Sequence, residues 1–367
     1  GGFCKSLIRH RIAKPDRPPT SSSPEKTMRY DLLTPGVNAY KANLHCHTTM
    51  SDGRLTPEEI KAHYQAHGYS IVAFTDHELL MDHSRLTDAD FLALTGYEIA
   101  VNERRPSRSF ADRKTTHLNL IASRPDNLDH VCYDPDAVWS DPNGIKHSVA
   151  TVGGVVPRQD GPDFLNRIIR EACEQEFLVT CNHPVWSLAQ SDDYLPLEGL
   201  FGVEVFNTGC VREGFPDSAE PYDALLRQGK RLKCLATDDN HNRFPHGHPE
   251  HDSLGGWVVV HAERLAYAPV FDALRRGDFY ASSGPAIDAL WVEDGVLHVT
   301  CSPARKITVN SSGRAAGVRL AGAGESLVAA EIPLRDDMYD YIRVTVEDDS
   351  GAKAWSNAVF RDQIGLG

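Results

Sequence analysis

The stretch Ala42-Asn43-Leu44-His45-Cys46-His47, followed by Ser51-Asp52-Gly53, decides how the rest of the chain is read. It is an apolar strand, from about Tyr40 to His47, closing on two histidines two residues apart. Side chains alternate faces along a strand, so His45 and His47 point the same way. Two imidazoles on one face at a strand end can grip a metal ion. Asp52, just beyond, adds a carboxylate within reach. A pair of satisfied core histidines would look the same in isolation. The two readings separate on whether other strand ends also carry ligands.

Downstream, they do. Thr56-Pro57-Glu58-Glu59 opens a helix, with Thr56 as cap, Pro57 at the first helical position and Glu59 completing a capping box; Gly68 ends it. Ser70-Ile71-Val72-Ala73-Phe74-Thr75 is an apolar strand ending in Asp76-His77-Glu78. Strand, helix and strand in this order predict a right-handed parallel unit. The rhythm then repeats. Phe91 to Tyr97 ends in Glu98, and a charged segment over 102–116 reads as an exposed insertion. His117 starts the short strand to Ala122, and 125–160 reads as a long surface excursion. A helix over 163–176 leads to Phe177–Asn182, which ends in His183-Pro184. Gly202–Asn207 is a strand, 218–229 a helix, and Leu232–Asp238 ends in Asp239-Asn240-His241. Trp257–Val260 and a helix over 270–277 close the series.

Parallel strands alternating with helices close into barrels, whose sites sit at the C-terminal strand ends. His45, His47, His77, Glu98, His183, Asp239 and His241 fall there. His117, at the beginning of its strand, is the exception. Core histidines have no reason to gather at one end of the elements, so a metal centre is the favoured reading.

Composition sets the outer bounds. The 367 residues carry 38 Lys+Arg against 51 Asp+Glu, a net charge of -13, and 41% are hydrophobic. That is an ordinary globular composition, long enough for one large domain and a smaller one. The acidity argues against general nucleic-acid binding, which needs a basic face. No apolar run approaches the roughly 18–20 residues of a membrane span. Eight scattered cysteines and no signal-peptide pattern give a reduced, cytoplasmic chain as the expectation. Residues 1–34, with Pro18-Pro19-Thr20-Ser21-Ser22-Ser23-Pro24, read as a flexible tail and 35–284 as the metal-binding domain. From 285 helical periodicity disappears. Short alternating runs such as Lys306-Ile307-Thr308-Val309 and Tyr341–Val346 predict a small antiparallel β domain over 285–367, sandwich-like.

Taken together, His45-Cys46-His47, Ser51-Asp52-Gly53, Thr75-Asp76-His77, Gly96-Tyr97-Glu98, Asn182-His183-Pro184 and Asp239-Asn240-His241 resemble the ordered motifs of the PHP (polymerase and histidinol phosphatase) family. Phe279–Pro285 is similar to the branch with carbaryl-hydrolase-type proteins. The resemblance implies an α/β fold: a distorted seven-stranded (β/α) barrel of the PHP type, here with the C-terminal β domain appended. It implies two or three divalent metal ions, Zn, Mn or Fe, up to a trinuclear centre. One ion would take His45, His47, Glu98 and Asp239. A second would share Glu98 and add His117 and His183, and a third would take Asp52, His77 and His241. Three such ions against three carboxylates leave a net positive site suited to a phosphate ester. The implied activity is metal-dependent hydrolysis of a small phosphorylated metabolite by a metal-bridging hydroxide, with Asp52, Glu98 and Asp239 at the reacting centre. The same centre could cleave a carboxylic or carbamate ester, since such a nucleophile also attacks carbonyls.

Arg243 and His246, in the loop after the last motif, are the preferred candidates for phosphate contact or general acid; a polar loop is the alternative. Arg212 is a similar candidate. His63 and His67, four apart on the first helix, read as solvated surface. A non-catalytic module binding a glycan or protein through the β domain is the competing class, and a degenerate ligand set would favour it. Nothing in the chain dictates an oligomeric state.

Overall fold

The computed structural model describes residues 28–105, 109–314, 317–335 and 339–365. In chain order the elements begin with β1 (Arg29–Asp31), β2 (Asn38–Asn43), α1 (Pro57–Gln65), β3 (Ile71–Phe74), β4 (Leu92–Asn102) and β5 (Thr115–Ala122). Two short strands, β6 (His130–Val131) and β7 (Thr151–Val152), precede α2 (Pro162–Glu174), β8 (Phe177–Cys181) and α3 (Ser191–Tyr194). Then come β9 (Gly202–Asn207), α4 (Thr208–Arg212), α5 (Ala219–Arg227), β10 (Lys233–Thr237), β11 (Trp257–Ala262), α6 (Tyr267–Arg276) and β12 (Phe279–Ser282). Among the described residues the remainder is strand, closed by a 3-10 turn at Arg361–Gln363: β13 (Ile287–Glu293), β14 (Val296–Ala304), β15 (Lys306–Ser311), β16 (Gly317–Leu320), β17 (Leu327–Pro333), β18 (Tyr341–Glu347), β19 (Lys353–Ser356) and β20 (Val359–Phe360).

The fold is mixed α/β, with few helices around a 14-stranded sheet. Seven strands run side by side in the order β10-β9-β8-β5-β4-β3-β2. Just past β2 and β10, Cys46 and Asn240 form a parallel bridge, and the His45 carbonyl accepts from the Asp239 N–H at 3.0 Å. The two ends of this seven-strand run therefore meet at the ligand-bearing side. The sheet continues from β2 through β11 and β12 into β19, β18, β15 and β16.

Local signals explain the helices. Thr56 caps α1 and Glu59 returns the bond to its backbone, the expected capping box with Pro57 at the first position. α2 buries Phe164, Leu165, Ile168, Ile169 and Ala172 on one face, against β8 and its neighbours. Truncating one of the four larger side chains to Ala costs about 2–5 kcal/mol.

The strand directions correct the all-parallel reading. β5 is antiparallel to both β4 and β8, and β11 is antiparallel to β2. Among the described residues no α-helix joins β4 to β5 or β10 to β11; the β4–β5 connection holds only a 3-10 turn, Phe110–Asp112. A parallel return needs a crossover, usually helical, and without one the strand comes back antiparallel. The stretch expected as an exposed insertion over 102–116 is the connection of this β4–β5 hairpin; 106–108 lie outside the described residues.

Part of the stretch expected as a flexible N-terminal tail, 1–34, is strand. Residues 1–27 lie outside the described residues, but Arg29–Asp31 pairs with Trp291–Glu293. It forms the edge of a four-stranded sheet, β1-β13-β14-β17. This sheet and the β15–β18 region of the large sheet enclose a second core of Leu290, Val292, Leu297, Val299, Ile307, Val309, Val344 and Val346. Among the described residues all cysteines are free, and no helix is long and apolar enough to cross a membrane.

Candidate metal centre

Glu98 stands at the middle of the site, fully buried near the middle of β4. Its Oε1 lies 3.2 Å from His45 Nε2, 3.1 Å from His117 Nδ1 and 3.6 Å from His183 Nε2. Its Oε2 lies 3.0 Å from His77 Nδ1 and 3.5 Å from His47 Nε2. One carboxylate thus faces five imidazoles from four segments of the chain. Strand register accounts for the His117 contact. His117 pairs with Ala100, two residues beyond Glu98, so the two side chains leave the same face of the hairpin. Because β5 runs antiparallel, the start of this strand lies at the same end as the other ligands. The position that looked exceptional in the sequence follows from that reversal.

Asp239 closes the other side. Its Oδ1 is 3.2 Å from His45 Nε2 and 3.0 Å from His47 Nε2, and its Oδ2 is 3.5 Å from His183 Nε2. Asp52 Oδ2 is 3.2 Å from His241 Nε2, and its Oδ1 is 3.8 Å from both His47 Nδ1 and His77 Nε2. Three groups of donors result: His45, His47 and Glu98 beside Asp239; Glu98, His117 and His183; and His47, Asp52, His77 and His241. All nine ligand positions named from the sequence are brought together, with His47 reaching into the third group as well. His183 and Asp239 sit in left-handed backbone, at φ 29° and 53°, strain that the surrounding structure must hold in place. The turn carrying Asp52 depends on Gly53, where a Cβ would meet the His47 carbonyl at 2.7 Å.

The donors fit metal ions. Glu98 Oε2 and His77 Nδ1 are buried and 3.0 Å apart, yet neither makes a hydrogen bond; His47 Nδ1 is also buried and unpartnered. Buried polar atoms without partners cost about 1–3 kcal/mol each, and a shared cation would satisfy them. Mixed imidazole and carboxylate donors suit Zn, Mn or Fe.

Charge is distributed unevenly over the ring of ligands. Burial opposes ionisation of Glu98, but the His117, His45 and His77 imidazoles outweigh it and hold the carboxyl well below its usual range. Asp239 is likewise depressed against its burial, by His45, His47 and His183. Burial, then the neighbouring His241 and His77, push His47 down to about 3, so it is neutral at ordinary pH. His241 rises to about 9 despite its burial, because Asp52 and Asp239 face it.

Glu204 is a candidate site residue that the sequence reading missed. It is buried in β9, and its Oε1 accepts from His45 Nδ1 and Thr237 Oγ1, both at 2.7 Å. Its Oε2 accepts from the His183 N–H at 3.0 Å and Asn207 Nδ2 at 2.9 Å. With four partners it is an orienting carboxylate: it keeps the proton on His45 Nδ1 and turns Nε2 inward. The available signal was an acidic residue inside the apolar run Gly202-Val203-Glu204-Val205-Phe206.

The rim candidates divide. Arg243 is exposed, with a guanidinium nitrogen 3.6 Å from Asp52 Oδ2. Arg212 is exposed at the end of α4. His246 does not join the three groups. The 242–254 loop is drawn back by Asp252, whose carboxylate takes the His241 and Asn242 N–H groups, and His246 packs beside His63 and His251 on the α1 side. Two tryptophans flank the centre: Trp139, exposed, 5.2 Å from the His77 ring, and Trp186, 4.9 Å from the His183 ring.

The comparisons with known proteins bear on this centre, since residues 43–134, which supply His45, His47, Asp52, His77, Glu98 and His117, match one family model. That model is the PHP domain. No curated protein matches the chain. Among solved structures, a two-domain protein from Bacteroides vulgatus containing a predicted PHP-like metal-dependent phosphoesterase is 14% identical, with 92% of this chain and 100% of that one covered, at a TM-score of 0.44. A proposed metal-dependent phosphoesterase from Bifidobacterium adolescentis is 16% identical over 57% of this chain and 91% of its own, at 0.34. An amidohydrolase from Chromobacterium violaceum, with bound sulfate and no metal, is 16% identical over 55% and 87%, at 0.33. Overlaps this loose do not define an activity.

Proposed function

We propose that this chain is a metal-dependent hydrolase that cleaves a phosphate ester of a small metabolite. The observation that carries the reading is Glu98, one buried carboxylate within 3.6 Å of five imidazole nitrogens, three on one oxygen and two on the other. Such a group would serve to bridge two ions. His45, His47 and Asp239 would complete one side, His117 and His183 the other, and Asp52, His77 and His241 a third position. The meeting of the two ends of the seven-strand run supports a distorted barrel, with these ligands at one mouth. Bound divalent ions would bring the pKa of a water near neutrality and draw charge from phosphoryl oxygens.

The chain's own residues do the rest. Glu204 orients His45 and, through the His183 N–H and Asn207, fixes two further parts of the ring of ligands. The Asn182 amide donates to Glu98 Oε1 at 2.8 Å and holds that carboxylate in one rotamer. Arg243 supplies a rim guanidinium for an equatorial phosphoryl oxygen. Trp139 and Trp186 offer flat apolar walls for the organic part of the substrate.

The test is phosphate release from a library of phosphomonoesters and diesters by metal-loaded protein, with aryl carboxylic and carbamate esters assayed in parallel. Release from a small phosphomonoester or diester is expected. Ester cleavage without phosphate release would move the reaction to carbonyl chemistry, and no turnover of either class would sink the hydrolase reading.

A further inference from the structure

Away from the centre described above, three histidines converge from two elements. His63 lies on α1, and His246 and His251 on the 242–254 loop. One ring nitrogen from each lies within 4.8 Å of the others. The ring centroids are 5.7 Å apart for His63 and His246, 5.4 Å for His63 and His251, and 5.3 Å for His246 and His251.

We propose that His63, His246 and His251 form a separate zinc site that fastens the 242–254 loop to α1. The hydrogen bonding around the cluster supports this. His63 Nε2 and His251 Nε2 are both buried with no partner. His251 Nδ1 donates to the Phe244 carbonyl at 3.1 Å, which leaves the lone pair on its Nε2. A carbonyl fixing one imidazole nitrogen so that the other is free is the usual outer-shell support of a metal-bound histidine. His246 is exposed and gives an arriving ion a route from solvent.

The donor set selects the metal. Three imidazoles with no carboxylate among them suit Zn(II) and exclude the hard oxygen-seeking ions Mg and Ca. Tetrahedral zinc with bonds of about 2.0–2.1 Å needs nitrogens about 3.3 Å apart, so binding would draw the three rings in from the present separations within 4.8 Å. The fourth position falls to water or to His67, whose ring is 5.0 Å from His63 and 4.8 Å from His246. His67 is already held beside the cluster by its Nδ1 bond to the His63 carbonyl at 2.8 Å.

The consequence reaches the first centre through the chain. The fastened loop starts right after His241 and carries Arg243, so an ion here would fix the angle at which that guanidinium overlooks Asp52.

Zinc equivalents per chain, measured by equilibrium dialysis and elemental analysis of the full chain, provide the test. His246→Ala and His63→Ala are compared with the unsubstituted protein, each also in an Asp239→Ala background. We expect each histidine variant to bind one zinc fewer than its parent in both backgrounds. Cobalt loading of the Asp239→Ala chain should give the visible bands of a tetrahedral ion, lost on adding His246→Ala. His246 is exposed, so that variant keeps the test open should His63→Ala fail to fold. Equal zinc counts in parent and His246→Ala would overturn the site. A failure of the catalytic reading shows separately, as no change in metal content between the parent and Asp239→Ala.

Discussion

Glu204 and His45 show how a single contact can govern the centre. The carboxylate accepts a hydrogen bond from His45 Nδ1–H at 2.7 Å and leaves Nε2 for an ion. Glu204→Gln keeps the shape and removes the charge, and outer-shell losses of this kind cost about 10–100-fold in metal affinity. Competition against a chelator should show that loss with the circular dichroism unchanged; equal affinity would reduce Glu204 to a packing residue. A second residue, His130, sets a pH response apart from the metal centre. Its Nε2 accepts from the Leu80 N–H at 2.9 Å, and its Nδ1 donates to the Ala150 carbonyl at 3.1 Å. Burial, against the pull of that carbonyl, lowers its pKa to about 4. As pH falls, the unfolded chain takes the proton first, near 6.5. Stability tied to His130 is therefore present above about 6.5 and lost as pH drops toward 4, by ~3 kcal/mol. Urea unfolding at pH 7 and pH 4 should show a smaller loss in His130→Gln than in the parent; identical losses would contradict the assignment.

At the scale of elements, the helices were legible because their signals are local: a capping box, a proline at the first turn, an apolar face. The strand directions were not. Direction depends on what the connection can do in space, and 103–114 and 242–254 were readable only as irregular. His117 shows the cost, since its place at a strand's start counted against it until β5 proved to run antiparallel. Cys46 was legible. Alternation puts it opposite His45 and His47, and it packs with Ile60, Tyr64 and Phe74 toward α1. Glu204 was overlooked because one acidic residue in an apolar strand carries no motif. Packing between distant elements left no sequence signal at all. Arg343 on β18 makes a bidentate pair with Asp223 on α5, at 2.8 and 2.7 Å, with the guanidinium buried. Removing one partner strands the other, so Asp223→Ala should destabilise by about 3–5 kcal/mol. Asp223→Ala with Arg343→Met should recover much of that. Denaturant midpoints of the single and double variants decide it; a harmless single variant would mean the pair is solvated.

For the whole molecule, the continuous sheet matters more than any division of the chain. β12 pairs with β19, and the large core that begins at Ala42 also takes in Tyr341, Trp355 and Phe360. A chain ended at Gly284 would expose that surface and is expected to lose cooperative unfolding, which a thermal melt would show; a sharp transition near that of the full chain would contradict it. The same sheet gathers at one end the ligands that the sequence scatters from His45 to His241. Their convergence on ions is the claim on which the proposed chemistry stands. It is tested most directly by counting divalent ions in purified, metal-loaded protein beside Glu98→Ala and Asp239→Ala. We expect at least two ions per chain in the unsubstituted protein to be bound at this centre, and both variants to lose them while keeping the parent's far-ultraviolet circular dichroism. Metal content unchanged by either substitution would contradict the centre.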